Sequence, residues 1–139
     1  MGTEQYLNQL RDMKRRIACK RRDAQMWRSI AESLSVPLDG DRVQSTGSGD
    51  KMAESVAKAV DCEREIDKLT FAMLKLQEEI MKRIDSMENY NHSIILSEYY
   101  VHGMSLNKIS IEWGRSVRHL KRVKSEAIAS FGEKFGDKY

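Results

Sequence analysis

The sequence contains little that would cross-link, interrupt or anchor a chain. Cys19 and Cys62 are its two cysteines, and they stand far apart without CxxC spacing. Neither a disulfide framework nor a metal site is therefore expected. No apolar run approaches the roughly 20 residues needed to cross a bilayer, and the N-terminus begins with polar and charged residues rather than a signal-peptide pattern. We expect a cytoplasmic protein that has no membrane partner.

The composition also argues against a thick core with a catalytic pocket. Hydrophobic residues make up 40% and charged residues 32% of the chain, with one proline. These values are typical of a helical protein whose apolar residues line seams. No paired carboxylates lie in a glycine-punctuated cleft, and no Ser, His and Asp arrangement can be placed. We therefore expect neither an enzyme nor a cofactor.

The net charge of +3 conceals two basic stretches on an otherwise acidic chain. Residues 104–125 carry six Lys/Arg against one acid, and residues 11–28 carry eight against two. Such stretches neutralise phosphates and release counterions, so at least one is expected to contact a polyanion. For residues 11–28, a second DNA contact and a solvated face opposite a more acidic helix are both open. The solvated face is the favoured interpretation.

Two long amphipathic segments occupy residues 1–88. Helices are predicted over about 3–34 and 51–88, because apolar side chains recur there at three- and four-residue intervals. In the first segment these are Leu10, Met13, Ile17, Ala24, Trp27, Ala31 and Leu34; in the second they are Ala59, Cys62, Ile66, Leu69, Met73, Leu76, Ile80 and Met87. Residues 35–50 contain Pro37 and several glycines and serines, which predicts a loop. The segment therefore predicts a long antiparallel helical hairpin, or coiled coil.

Residues 89–139 predict a small tri-helical helix-turn-helix domain, so the whole fold is expected to be all-α. Gly103 and Gly114 stand where turns between helices favour positive φ, and Ser105 and Ser116 follow them as N-caps. The apolar positions expected to share one core are Ile94, Ile95, Tyr99, Tyr100, Leu106, Ile109, Trp113, Leu120, Val123, Ala127 and Ile128. A domain of this size buries little surface, so it is expected to lean on the hairpin or on a second copy.

The last predicted helix carries cations on one face (Arg118, Lys121, Arg122 and Lys124) and apolar residues on the other. Such a helix can pack on a core and still enter a DNA groove. The candidate DNA-binding residues are Ser105, Lys108, Ser116, Val117, Arg118, His119, Lys121 and Arg122. Arg118 and Arg122 are expected to contact guanine edges or phosphates, while the serines and lysines fix the register on the DNA backbone. A solubilising helix face is the alternative interpretation of these charges.

The run LSEYYVHGMSLNKISIEWGRSVRHLKRVKSEAI resembles the C-terminal promoter-reading domain of bacterial sigma factors and the helix-turn-helix of phage late-gene activators. The stretch SGDKMAESVAKAVDCEREIDKL, which lies between a basic helix and that run, is similar to the central segment of ArpU/RinA-type phage activators. The likeness covers nearly the full length. Ser110 and Arg115 depart from it, since the family usually has alanine and often an aromatic residue at these positions.

The resemblance implies sequence-specific binding of double-stranded DNA that activates phage or prophage late genes. The alternative function is a protein-interaction module, in which the hairpin and the sigma-like domain dock on RNA polymerase or another protein without reading a DNA sequence. The hairpin is expected either to pair two copies as a homodimer or to present a surface to polymerase. Both roles are open at the level of sequence.

Overall fold

Helices account for all the regular structure in the part of the chain that the structure describes. The computed structural model describes residues 1–35 and 46–139 and contains no strand in either range. The helices are α1 (Thr3–Ser35), α2 (Thr46–Asp85), α3 (Tyr90–Leu96), α4 (Leu106–Trp113) and α5 (Val117–Phe135), and a π-helical segment, Ser97–Val101, continues α3. None of these helices combines the length and the apolar character that a membrane span requires. The all-α prediction is confirmed.

The bounds of α1 and α2 correct the predicted loop over residues 35–50. α1 extends through Ser35, and α2 begins at Thr46 rather than at residue 51. Lengthening an existing helix needs no new nucleus, so glycines that cost about 1 kcal/mol each do not stop it. At its other end α2 stops at Asp85 rather than at residue 88, and the Ser86 hydroxyl donates a hydrogen bond to the Arg83 carbonyl, 2.8 Å away. The rest of the predicted loop, residues 36–45, lies outside the described residues.

The chain divides into two compact units. Unit 1 consists of residues 1–14 and 72–139, and unit 2 consists of residues 15–71. α1 and α2 each contribute to both units. The border predicted between residues 88 and 89 falls inside unit 1, because unit 1 contains the residues on both sides of it. That residues 89–139 form a domain of their own remains a prediction.

Unit 1 has a wide apolar core that draws on all five helices. Its buried members are Tyr6, Leu7, Leu10, Ile80, Ile84, Ile95, Leu96, Tyr100, Val101, Ile109, Leu120, Ala127, Phe131 and Phe135. Residues 89–139 thus share their core with the first turns of α1 and the last turns of α2. Their small size predicts such support, because so short a segment cannot bury enough apolar surface alone.

The π-helical segment changes which residues of the α3 region face this core. The sequence predicts Ile94, Ile95, Tyr99 and Tyr100 as core residues, and of these Ile95 and Tyr100 are buried while Tyr99 packs against the core from a half-buried position. Leu96 and Val101, which the sequence did not predict, complete the buried pairs 95/96 and 100/101. The two pairs are five residues apart, and the His102 amide donates to the Ser97 carbonyl five residues earlier (2.9 Å). A bond over five residues shifts the helical phase, which a three- and four-residue spacing does not anticipate.

A cluster of tyrosines joins α1, α2 and the last residues of unit 1. The Tyr139 ring stacks on the Tyr6 ring, with centroids 4.0 Å apart, and its hydroxyl donates to Thr3 Oγ1 (2.6 Å). The Tyr6 hydroxyl donates to Glu79 (2.7 Å) and accepts from Arg83 (2.8 Å). Burial, followed by the bond to Glu79, raises the pKa of Tyr6 above its usual range. Tyr6 therefore stays protonated and able to donate.

Unit 2 packs small side chains where unit 1 packs large ones. Its buried residues are Ile17, Ala24, Ala31, Ser55 and Ala59. Trp27 is half-buried, and the Lys58 ammonium lies 4.4 Å from its ring centroid. Small side chains allow two helices to approach closely but bury little apolar area per residue.

Ion pairs flank this small-residue seam. Lys20 pairs with Glu65 at 2.9 Å, and the guanidinium of Arg28 donates to both carboxylate oxygens of Glu63 at 3.0 and 3.1 Å. The residue that lies later in α1 pairs with the residue that lies earlier in α2. These pairs join the two helical segments of unit 2.

Candidate nucleic-acid interface

The two short turns before α4 and α5 have the backbone geometry that the sequence predicts. Gly103 has φ +68° and Gly114 has φ +65°, values that strain residues with a Cβ. The Ser105 hydroxyl accepts from the Lys108 amide and the Ser116 hydroxyl from the His119 amide, both at 3.1 Å. Both serines are therefore N-caps, and this part of the prediction is confirmed. As exposed hydroxyls they each keep a proton to donate.

The turn between α4 and α5 is closed by hydrogen bonds between Ser110 and Arg115. The Ser110 hydroxyl donates to the Arg115 carbonyl, and the Arg115 amide donates to the Ser110 carbonyl (3.2 Å). An alanine at position 110 could not make the first of these bonds. Sequence reasoning did not pair these residues, although a serine near the end of a helix is a local signal for such a bond.

α5 is fixed by its apolar face. Leu120, Ala127 and Phe131 are fully buried at 0% exposure, and Val123 and Ile128 pack against the same core. Burying residues at positions 120, 127 and 131 sets the rotation of the helix, because they recur at the helical period. The opposite face of α5 must then point to solvent.

That opposite face carries Arg118, Lys121 and Arg122, all three exposed. Lys108, on α4, is also exposed. Within the described ranges, none of these four cations forms an ion pair with a carboxylate. We call Arg118, Lys121 and Arg122 the cationic face; no described carboxylate forms an ion pair with it.

Other charged groups border the cationic face without closing it. Glu4 lines, together with Lys121 and Lys124, a surface depression beside α5. Glu4 therefore places one carboxylate at the edge of the cationic face. This proximity could not be predicted from the sequence, because Glu4 is distant from α5 along the chain. The exposed Lys121 and Arg122 side chains remain accessible to a ligand.

His119 is half-buried and lies against the cationic face. Its Nδ1 is 3.2 Å from Nη2 of Arg122. A guanidinium only donates hydrogen bonds, so Nδ1 must accept and the proton of the neutral ring lies on Nε2. His119 thus orients Arg122 and presents an N–H donor of its own. Val117, the remaining candidate from the sequence, is half-buried at the start of α5.

Lys124 does not belong to the cationic face, contrary to the sequence prediction. Its ammonium lies 4.2 Å from the centroid of the Tyr99 ring, and the Arg11 guanidinium lies 4.0 Å from the same centroid. Arg11 also donates to the Tyr99 carbonyl (2.7 Å). A cation over an aromatic ring is held electrostatically, so Lys124 is committed to packing within unit 1.

Two cations of the basic stretch 11–28 serve as caps in unit 1. Arg11 bonds the Tyr99 carbonyl, and the Lys14 ammonium donates to the Val101 carbonyl, which ends the π-helical segment. Burial lowers the pKa of Lys14. Sequence reasoning missed both roles, because the carbonyls they satisfy lie far away along the chain.

The arrangement can bind a polyanion, and its described residues offer no metal-binding cluster. No three His, Cys, Asp or Glu side chains come together within residues 1–35 and 46–139 as a metal ion would require. Exposed, unpaired cations on a rigid helix are instead suited to phosphate and to base edges. Comparison of the chain with protein-family models, with curated proteins and with solved structures finds no match.

Proposed function

We propose that this chain is a sequence-specific DNA-binding transcriptional regulator, in which α4 and α5 form a helix-turn-helix and α5 enters the major groove. The observation that carries the proposal is the cationic face. Arg118, Lys121 and Arg122 are exposed and form no ion pair with a described carboxylate, while Leu120, Ala127 and Phe131 on the other side of the same helix are fully buried. A helix anchored in this way presents its cations at fixed positions, which reading a sequence requires.

Within this proposal the residues have different roles. Arg118 and Arg122, one helical turn apart, contact guanine edges or phosphates. Lys108 and Lys121 contact phosphates, and the hydroxyls of the two caps at positions 105 and 116 donate to the DNA backbone. His119, which orients Arg122, contacts DNA through its Nε2 proton, and Val117 packs against a base edge.

The narrower proposal is a phage or prophage late-gene activator of the ArpU/RinA type, and it rests on the sequence resemblance alone. In this proposal residues 1–88 form a helical hairpin that assembles the regulator, either by pairing two copies or by presenting a surface to RNA polymerase. Residues 89–139 form the sigma-like helix-turn-helix domain. Measurement of the mass in solution separates a dimer from a monomer.

A second candidate function is supported by one residue of α4. Ile111 is 82% exposed, so α4 presents an apolar side chain to solvent. It favours a protein-interaction module in which α4 docks on RNA polymerase or another protein without reading a DNA sequence. The dependence of binding on salt distinguishes the two functions. DNA affinity falls by about 0.9 log units per log unit of salt for each phosphate neutralised, whereas docking on a protein should show a shallower dependence.

Arg118→Ala tests the proposed function. If Arg118 reads a base, the variant should lose about 1–3 kcal/mol of binding free energy on the preferred sequence and much less on random DNA. The preferred sequence is obtained by repeated selection of bound duplexes from a random pool, and affinities are measured by fluorescence anisotropy. Lys138→Ala is the matched control, because it removes one exposed charge from the same unit outside α5.

The outcomes separate three interpretations. A loss confined to the preferred sequence supports base reading by Arg118. An equal loss on both DNAs makes Arg118 a phosphate contact. Failure of the unsubstituted protein to enrich any sequence, together with a shallow salt dependence, overturns the proposal in favour of the interaction module.

A further inference from the structure

A second group of exposed cations lies on α1 within unit 2 and includes none of the residues used by the proposed function. We call it the arginine ridge, and its members are Arg15 and Arg22, both exposed. Seven residues separate Arg15 from Arg22, so the two lie on nearly the same side of the helix. Ile17 and Ala24, which are buried in the seam with α2, lie on the opposite side. The ridge therefore points to solvent.

The other cations of this stretch are already engaged. Lys20 pairs with Glu65, and Arg28 pairs with Glu63. The hydrogen bond between Lys20 and Glu65 raises the pKa of Lys20 and lowers the pKa of Glu65. The charge of Arg16 lowers the pKa of Glu65 to a smaller extent. Among the described residues, no carboxylate forms an ion pair with a member of the ridge.

The facing helix shows how a merely solvated surface is arranged. On α2 the Lys58 ammonium pairs with Glu54 one turn earlier, at 3.3 Å, and opposite charges alternate along the helix. Residues 46–71 carry four basic and six acidic residues, whereas residues 15–35 carry six basic and two acidic ones. The α1 segment of unit 2 is thus basic, whereas its α2 segment is acidic.

The side-chain type also favours a specific ligand chemistry. Both members of the ridge are arginines, while the lysines of α1, Lys14 and Lys20, make contacts inside the protein. Arginine is more weakly hydrated than lysine and binds phosphate through two parallel hydrogen bonds. From Arg15 to Arg22 the helix rises about 10 Å, which corresponds to about three base-pair steps of duplex DNA.

We infer that the arginine ridge is a second, sequence-independent contact for the phosphates of duplex DNA. Its ligand class rests on the proposed function, but its residues belong to unit 2 and are independent of the cationic face. In this arrangement α5 supplies the discrimination between sequences, and the ridge supplies affinity that depends on salt and not on sequence.

The double variant Arg15→Gln/Arg22→Gln tests this inference. Its binding to a short fluorescein-labelled duplex of arbitrary sequence is measured by anisotropy over a series of salt concentrations. If both arginines contact phosphates, the slope of log affinity against log salt should fall in magnitude by about 2, since each phosphate contact contributes about 1. The matched control is Lys51→Gln/Arg64→Gln, which removes the same charge from exposed positions of α2 in the same unit.

An unchanged slope, or an equal fall in the control, overturns the inference. A fall in slope that accompanies loss of self-association in sedimentation also overturns it, because the ridge would then face another copy. Arg118→Ala/Arg122→Ala separates the two proposals. If the ridge does not contact DNA but the proposed function is right, only this α5 variant weakens DNA binding. If the ridge contacts DNA but α5 does not, only the ridge variant weakens it.

Discussion

The two units of the chain are stabilised in different ways, although α1 and α2 contribute to both. Unit 1 surrounds large side chains, such as Tyr100 and Phe131, with five helices. Unit 2 brings together alanines from two helices and flanks them with ion pairs. Burial stabilises by roughly 25 cal/mol per Å² of apolar surface, whereas an exposed ion pair contributes up to about 1 kcal/mol. Unit 1 should therefore hold most of the stability.

This difference bears on where function can reside. A helix that reads DNA must hold its side chains in fixed positions, and α5 obtains that rigidity from the core of unit 1. The arginine ridge makes contacts that need charge but not precise positions, so a thin two-helix seam suffices for it. The two units are thus matched to the two kinds of contact that we propose.

Phe131→Ala should produce the largest effect. Phe131 is fully buried, and its ring lies near those of Tyr6, Phe135 and Tyr139. Removing a buried phenylalanine ring leaves a cavity and typically costs about 3–5 kcal/mol. Urea denaturation should show this loss in the free energy of unfolding. Tyr90→Ala, at a ring that is 77% exposed in the same unit, is the control and should change little.

If Phe131→Ala and Tyr90→Ala gave similar small losses, the contrast between the units would not hold. The core of unit 1 would then be loosely packed despite its size, and α5 would lack the rigidity that sequence reading requires.

Ala59→Leu tests the packing of the seam in unit 2 by adding volume, whereas Phe131→Ala removes volume from the core of unit 1. Ala59 is fully buried between two helices, so a larger side chain must push them apart at a cost of about 1–3 kcal/mol. Ala57→Leu, on the exposed side of the same helix, should be nearly neutral because alanine and leucine have similar helix propensities. Urea denaturation measures both variants. A seam that accepts the larger side chain at position 59 without loss would show that the helices are not closely packed.

Features that depend on neighbouring residues could be predicted from the sequence. Ser105 and Ser116 are N-caps, and Gly103 and Gly114 have positive φ, because both properties are set within one or two turns of chain. The apolar face of α5 follows from its helical period in the same way. Its exposed cations then follow, since they must lie on the opposite side.

Features that depend on distant residues could not be predicted. Lys124 matches the other cations of α5 in sequence, but it packs on Tyr99, whose position results from the π-helical segment. Arg11 belongs to a basic stretch that suggested a solvated face, yet it bonds a carbonyl in another helix. Neither contact leaves a pattern along the chain, because each joins residues whose proximity only the folded structure determines.

The ion pair between Arg28 and Glu63 offers the finest test of the contrast, because its effect is expected to be the smallest. Both side chains are about half exposed, so solvent and salt screen their attraction. Three hydrogen bonds from Nε and Nη2 of Arg28 to the two carboxylate oxygens of Glu63 hold the pair in a fixed geometry, which raises its contribution within the range of surface pairs. A double-mutant cycle with Arg28→Ala and Glu63→Ala should yield a coupling of about 0.2–1 kcal/mol in low salt.

The same cycle with Arg21→Ala in place of Arg28→Ala is the control and should yield no coupling, because Arg21 forms no ion pair among the described residues. A coupling well above this range that persists in high salt would mean that charge, rather than its small apolar seam, holds unit 2 together.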